Sequence, residues 1–179
     1  LWSQRAGGAG ADYAGALTVD SQGNYLLGGY FEDSMTLGTD TLTSAGNLDI
    51  FLAQMDPGGA YLWAIRGGGS GMDHLFGITV DSMDNIYVAG RFQAVADFGL
   101  HELTSLGDYD VFSARLDPDG VFMWARSHGG TQYDSGIRPV VDSAGALYVN
   151  GLFNGTATFD STAFTSYGGN DVFILKYLN

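Results

Sequence analysis

The sequence predicts an all-β protein built from one unit used three times. Three observations carry this. Residues 56–69, DPGGAYLWAIRGGG, return at residues 117–130 as DPDGVFMWARSHGG, and their tail, LWSQRAGG, opens the chain at Leu1. Such self-similarity at a fixed period is the signature of a repeat architecture. No segment carries the apolar spacing of an amphipathic helix; short β-branched and aromatic runs alternate instead with clusters of turn residues. Finally, 28 glycines against 3 prolines suit many tight turns between strands.

The offset is 61 residues and no insertion breaks it. It relates Trp2, Trp63 and Trp124, the three tryptophans of the chain. It relates the Gly pairs at Gly7, Gly68 and Gly129, and the aspartates Asp12, Asp73 and Asp134. It relates the VDS triplets at Val19, Val80 and Val141, then Gly29, Gly90 and Gly151, then Phe31, Phe92 and Phe153. It ends on Asp49, Asp110 and Asp171 with Phe51, Phe112 and Phe173. The chain therefore divides into repeats 2–62, 63–123 and 124–179 within one domain, 1–179.

The middle repeat sets the elements. Gly77–Asp81 is short and β-branched, a buried strand. Residues 82–85, SMDN, are a turn. Ile86–Phe92 is the next strand, and Gly90 inside it marks a bulge or a close backbone approach. Gln93–Tyr109 is a longer excursion with Phe98 and Leu103 as apolar pegs; Leu37 with Leu42 and Phe159 with Phe164 are their counterparts, so a small extra hairpin is expected there. Asp110–Leu116 is the third strand. In residues 117–120, DPDG, Pro presets φ and Gly accepts positive φ, which makes a tight turn. Val121–Arg126 is the fourth strand.

Four antiparallel strands per unit, repeated without spacers, form a propeller blade. The chain begins on a fourth strand, Leu1–Arg5, and its last unit stops after a third, Asp171–Leu178. That offset suits a propeller in which the N-terminal strand completes the last blade and leaves no open edge. Three blades are too few for such a ring. The alternatives are pairing of two chains into six blades, three blades of a longer array, a pseudo-threefold β-trefoil or prism, and an open strand-exchanged array.

The pattern W-A-x-x-x-G-G-x-x-x-x-D, V-D-S-x-x-N-x-Y-x-x-G-x-F, T-S-x-G-x-x-D-x-F, D-P-x-G-x-x-x-W resembles the bacterial β-propeller repeat family known as SBBP, over the whole chain. The last copy departs at Ala146, where Asn24 and Asn85 stand in the others, at Pro139 within its first strand, and at Ser127 in place of Arg5 and Arg66. The resemblance implies a seven-bladed or similar propeller in large secreted or cell-surface proteins, often of Bacteroidota-like bacteria. It implies no enzyme activity and no established ligand.

Composition narrows the function. A net charge of −13, with seven Lys and Arg, argues against nucleic acid and anionic lipid as partners. No apolar run reaches the length of a membrane-spanning helix. There is no cysteine, which leaves the redox compartment open. The chain opens without an initiator Met or signal peptide, as expected of a mature chain or a piece of a longer one.

Asp12, Asp73 and Asp134 are candidate calcium ligands on an acidic protein, with turn chemistry as the competing account. No other cofactor is expected. Trp2, Trp63 and Trp124 recur in an alternating strand and are expected to pack between blades. Tyr13, Tyr30, Tyr109, Tyr133 and Tyr167 differ between copies and lie in or beside loops, so they are the candidate ligand-binding residues. His74, His101 and His128 occupy three different slots and form no repeated metal set. Asp-Ser or Asp-Thr followed by an apolar residue or Thr resembles a short Bacteroidota O-glycosylation motif and points to Ser34, Thr41, Ser82, Ser143 and Ser161. Asn154-Gly155-Thr156 is an N-glycosylation sequon.

The expected function is a non-enzymatic extracellular or cell-surface glycoprotein module: a structural or adhesive scaffold, or a filament subunit. Its partners would be copies of itself, joined through unpaired terminal strands, or flanking repeats of a longer chain. A lectin-like glycan-binding propeller is the alternative. A polysaccharide-active enzyme is a third, and would rest on an unrepeated acid such as Glu32 or Glu102.

Overall fold

The computed structural model describes residues 1–177. It contains sixteen strands and, among the described residues, no helix. The first strand is the short β1 (Gly7–Gly8). Blade 1 is the meander β2 (Asp12–Val19), β3 (Tyr25–Leu37), β4 (Asp40–Met55) and β5 (Tyr61–Gly69). Blade 2 is β6 (His74–Val80), β7 (Ile86–Phe92), β10 (Asp110–Leu116) and β11 (Phe122–Gly130), with the hairpin β8 (Val95–Phe98) and β9 (His101–Thr104) inserted between its second and third strands. Blade 3 is β12 (Asp134–Val141), β13 (Leu147–Phe153) and β16 (Asp171–Tyr177), with the inserted hairpin β14 (Thr156–Phe159) and β15 (Thr162–Thr165). All strand pairs within the blades are antiparallel.

The fold is the all-β stack of propeller blades that the sequence predicts, and no sheet closes into a barrel. The trefoil alternative, which needs a closed barrel, therefore does not describe it. The expected hairpin does more than fill space. β8 pairs with the end of β5 (Gly68↔Asp97, Gly69↔Ala96), and β14 pairs in the same way with the end of β11 (Gly129↔Thr158, Gly130↔Ala157). Each hairpin thus ties its own blade to the one before it. In blade 1 the hairpin is continuous with β3 and β4, and β1 takes the place of the preceding blade's strand end (Gly7↔Thr36, Gly8↔Met35).

Several boundaries move. The first strand of blade 2 begins at His74 rather than Gly77, and the fourth runs on to Gly130. Both extensions belong to the seam, where backbone groups of adjacent blades meet. Gly90 does mark a bulge. It pairs with Leu75, beside the irregularity between Leu75 and Gly77, and a Cβ on it would lie 1.9 Å from the His74 carbonyl oxygen.

Leu1–Arg5 was expected as a strand, and the structure has none there; the segment has no neighbouring third strand to pair with. It does not close onto β16. The strand expected at Asp171–Leu178 is observed over Asp171–Tyr177; Leu178 lies outside the described residues. Pro139 sits in β12, which pairs on one side only, with β13, so its missing N–H costs no ladder bond.

The core lies in the seams. Leu26, Ile50 and Leu52 of blade 1 pack with Leu75, Val88, Phe92 and Phe112 of blade 2. Tyr87, Ala89 and Val111 of blade 2 pack with Val149, Phe153 and Phe173 of blade 3. Phe98 is fully buried and stacks on Phe112 at 4.7 Å, confirming it as the hairpin's peg; its partner Leu103 packs against the same cluster.

Candidate functional site

Tyr13 and Tyr30 are cross-strand partners on β2 and β3, and their rings stack at 4.9 Å. The same slots in blade 2 hold His74 and Arg91, again cross-strand partners. Stacking blade 2 on blade 1 brings the two pairs together. The Tyr30 ring meets His74 at 4.4 Å, and His74 stacks on Phe76 at 5.9 Å. The line continues through Tyr109, 5.8 Å from His74, to Tyr133, 5.7 Å from Tyr109. A parallel backbone bridge between Tyr109 and Tyr133 fixes the last contact across the seam between blades 2 and 3.

Arg91 is at the centre. Its guanidinium lies over the rings of Tyr109 at 4.4 Å, Tyr133 at 5.2 Å and Phe76 at 5.4 Å. Its Nη1 donates to the Tyr133 hydroxyl, and its Nε approaches His74 Nδ1 at 3.5 Å. Burial drives the His74 pKa down to about 4; the charge of Arg91 pushes the same way, and a hydrogen bond with the Met72 backbone opposes. His74 is therefore neutral at physiological pH. Burial raises Tyr109, with Arg91 opposing. The result is a band of aromatic faces around one cation, capable of stacking on flat apolar rings and donating hydrogen bonds from phenol groups.

Four of the five tyrosines singled out in the sequence meet here. Tyr167 does not: it is fully exposed in the turn before β16, its amide held by Asp171. His74, Phe76 and Arg91 were missed. The signal was present, because His74 and Arg91 stand 61 residues after Tyr13 and Tyr30.

The recurring aspartates work at the seams. Asp12 accepts the Gly8 amide at 2.8 Å, Asp73 that of Gly69 at 2.8 Å, and Asp134 that of Gly130 at 2.7 Å. Asp73 and Asp134 each take a second amide, from Gln93 and Asn154, at the start of the inserted hairpin. Each carboxylate thereby clamps the previous blade's last strand to its own blade. Among the described residues no three His, Cys, Asp or Glu side chains gather to hold a metal ion. Asp20, Asp81 and Asp142 close their turns by accepting amides two and four residues on.

The seams also bring carboxylates together. Asp49 and Asp73 both reach Gly68, whose φ of +130° leaves the space they occupy; Asp110 and Asp134 both reach Gly129 at φ +155°. In the first seam Arg66 forms an ion pair with Asp49. Desolvation pushes Asp73 up to about 7 and Asp134 up to about 6, against the backbone amides that lower both.

The tryptophans follow their blades. Trp2 rests on the 56–59 turn, with Nε1 donating to the Pro57 carbonyl at 3.0 Å and its ring against Gly59. Trp63 rests on Gly120 of the next blade. Trp124 lies beside an open cleft of about 760 Å³ lined by Tyr87, Arg115, Arg126 and Tyr177. Thr41, Ser82, Ser143 and Ser161 are exposed, whereas Ser34 is half-buried in β3. Glu32 and Glu102 are exposed, and Glu32 accepts the Ala11 amide.

No family model matches the chain. It is 24% identical, over 220 aligned positions, to an uncharacterized WD repeat-containing protein of Acanthamoeba polyphaga mimivirus. The match covers 99% of this chain and 16% of that protein, so the chain spans about a sixth of the relative's length. The likeness agrees with the fold at the level of a propeller-like repeat protein.

Proposed function

We propose that the chain is a non-enzymatic repeat scaffold that assembles by stacking further blades on its third. One observation carries this. Val172 and Ile174 of β16 are 77% and 80% exposed, whereas their counterparts Val111 and Ser113 in blade 2, and Ile50 and Leu52 in blade 1, are at most 1% exposed because the next blade covers them. The outer edge of β16 also has no strand partner among the described residues, where β4 has β5 and β10 has β11. An apolar face and an unpaired edge together fit another blade, from a second copy of this chain or from flanking repeats of a longer one. Leu17 and Val19 form the complementary exposed face on blade 1.

The resemblance to SBBP repeats and the charge of −13 support an extracellular or cell-surface setting, an adhesive or filament-forming role, and O-glycans at the exposed Asp-Ser and Asp-Thr sites. Light scattering coupled to size exclusion tests the assembly. The wild-type chain is expected to self-associate, and Val172→Lys with Ile174→Lys to leave a folded monomer. A wild-type monomer at all concentrations refutes self-assembly.

A second reading is glycan binding. It is favoured by Tyr109 and Tyr133 packing on Arg91, with Tyr30 and then Tyr13 joined to them through His74, all in slots that vary between repeats. A glycan array should give hits that Tyr109→Ala removes; an array without hits on assembled protein refutes it.

A further inference from the structure

The two seams between blades are built alike except at one position. In the first seam, Arg66 of β5 places its guanidinium on Asp49, which also accepts the Ala45 amide at 3.0 Å and the Ser44 hydroxyl at 3.2 Å. In the second seam Asp110 takes the place of Asp49 and accepts the Leu106 amide at 2.6 Å, as Asp49 accepts that of Ala45. The residue equivalent to Arg66 is Ser127, too short to reach. Asp110 is only 1% exposed, and among the described residues its Oδ1 has no hydrogen-bond partner. Burial raises the Asp110 pKa, against the Leu106 amide, the Ser105 hydroxyl and the Gly130 amide beside it, whereas the first seam gives its homologue a cation.

The missing side chain leaves room. A cleft of about 530 Å³ opens at this place, lined by Asp110, Ser127, His128 and Gly129 on one side and Thr158 and Asp160 across it. Among the described residues His128 Nε2 is also buried without a partner, while Nδ1 accepts the Asp160 amide at 3.2 Å. Arg126 reaches the rim of the cleft, but its guanidinium is held over the Trp124 and Tyr177 rings, 5.4 Å from each, and makes no ion pair among the described residues. Asp134 approaches from blade 3 through Gly129.

We propose that the cleft between blades 2 and 3 is a binding site for a guanidinium group, which pairs with Asp110 where Arg66 pairs with Asp49 in the neighbouring seam. A guanidinium N–H can donate to Asp110: in the first seam Arg66 shares Asp49 Oδ2 with the Ala45 amide, whereas in the second Asp110 Oδ2 holds the Leu106 amide without such a cation and Oδ1 is unpartnered among the described residues. The Asp160 carboxylate supplies a further acceptor; His128, whose Nδ1 accepts the Asp160 amide, presents an Nε2–H donor and does not bond the guanidinium. The group belongs either to a small guanidino compound or to an arginine on a docking protein segment.

The test follows the Leu106 and Gly130 amides by NMR while methylguanidinium chloride is added to the full chain. These amides bond to Asp110 and Asp134. A saturable shift is expected, absent with tetramethylammonium chloride, which has no N–H donor. Ser127→Arg should fill the site from within: both amides should start near their saturated positions and no longer respond. Asp110→Asn should weaken binding by about tenfold or more, the value of one charge-assisted contact. An arginine-containing tetrapeptide that binds as well as methylguanidinium identifies a protein arginine as the source; failure of the peptide alone identifies a small molecule. No saturable shift in wild type, equal response to tetramethylammonium or to calcium chloride, or unchanged binding in Asp110→Asn overturns the proposal.

Discussion

Replacing Arg66 with Ala removes the counter-charge of a carboxylate that the first seam buries completely. Asp49 would keep the Ala45 amide and the Ser44 hydroxyl and lose its only cation. Breaking a fully buried pair from one side costs about 3–5 kcal/mol. The Arg66 side chain is 33% exposed, so water can enter the gap it leaves, and we set the loss at about 2 kcal/mol. For a chain of this length about 2 kcal/mol lowers Tm by roughly 4–8 °C. Thermal and urea unfolding followed by circular dichroism measure it, with coincident transitions as the check for two-state behaviour.

A second variant separates charge from packing. Asp49→Asn in the Arg66→Ala background no longer needs a cation, so it should recover about half of the loss. Arg66 also holds down the pKa of Asp73, so its removal should cost more at neutral than at acid pH, where Asp73 is protonated anyway. If Arg66→Ala lies within about 0.5 kcal/mol of wild type, the value of an ordinary surface change, the ion pair does not hold the seam. If the double variant is no better than the single, the loss comes from the arginine's stem and not its charge.

Further outcomes follow from the same geometry. Asp73 and Asp134 titrate at about 7 and about 6 in the folded chain, above the ordinary carboxylate value, so the native state holds more protons than the unfolded between about pH 4 and 7. Stability should fall as pH rises through that window and level off above it; a urea midpoint higher at pH 7.5 than at pH 5 contradicts the burial of these groups, and Asp73→Asn should flatten the slope. Asp81 and Asp142, with pKa values lowered by hydrogen bonds to their turns, act only in more acid solution. Ala94 holds φ +55°, where the third repeat has Gly155 at φ +65°; Ala94→Gly should stabilise by roughly 0.5–1 kcal/mol, and a lower urea midpoint would refute that strain. Gly90→Ala drives a methyl against the His74 carbonyl and should cost about 3 kcal/mol or more, while a fully folded variant with unchanged midpoint would show that β6 can move.

The sequence made the fold legible because each repeated residue answers one local demand three times. The strand Ile86–Phe92, the turn at 117–120, the buried peg Phe98 and the bulge beside Gly90 could all be read from residue type and spacing. What could not be read is where one blade meets the next. Leu1–Arg5 has the residues of a strand but lacks the neighbour that would make it one, since pairing depends on residues far off in the chain. The 61-residue offset puts His74 in the slot of Tyr13, but its contacts with Tyr30, Phe76 and Tyr109 could not be read, because they arise only when blades stack. The aspartates show the same division. Their recurrence was plain, but calcium ligation and amide clamping call for the same residue type, and only the distances to Gly69 and Gly130 show what they hold.

Repetition therefore sorts the residues by role. A position occupied alike in all three copies is answering the blade, as Asp12, Asp73 and Asp134 do in accepting the last strand of the blade before. A position that changes while its backbone stays in register is free of that duty. Tyr13, His74 and Ser135 fill one such slot; Tyr30, Arg91 and Leu152 fill another, and each pair faces the other across the same rung of the ladder. The Arg66-to-Ser127 change belongs with them, but with one difference. Its partner aspartate recurs as Asp110, so this seam holds a buried carboxyl group without the arginine that Asp49 has. A changed slot beside a recurring partner leaves a buried carboxyl group that a donor from outside can pair, and this holds in the second seam and not in the first.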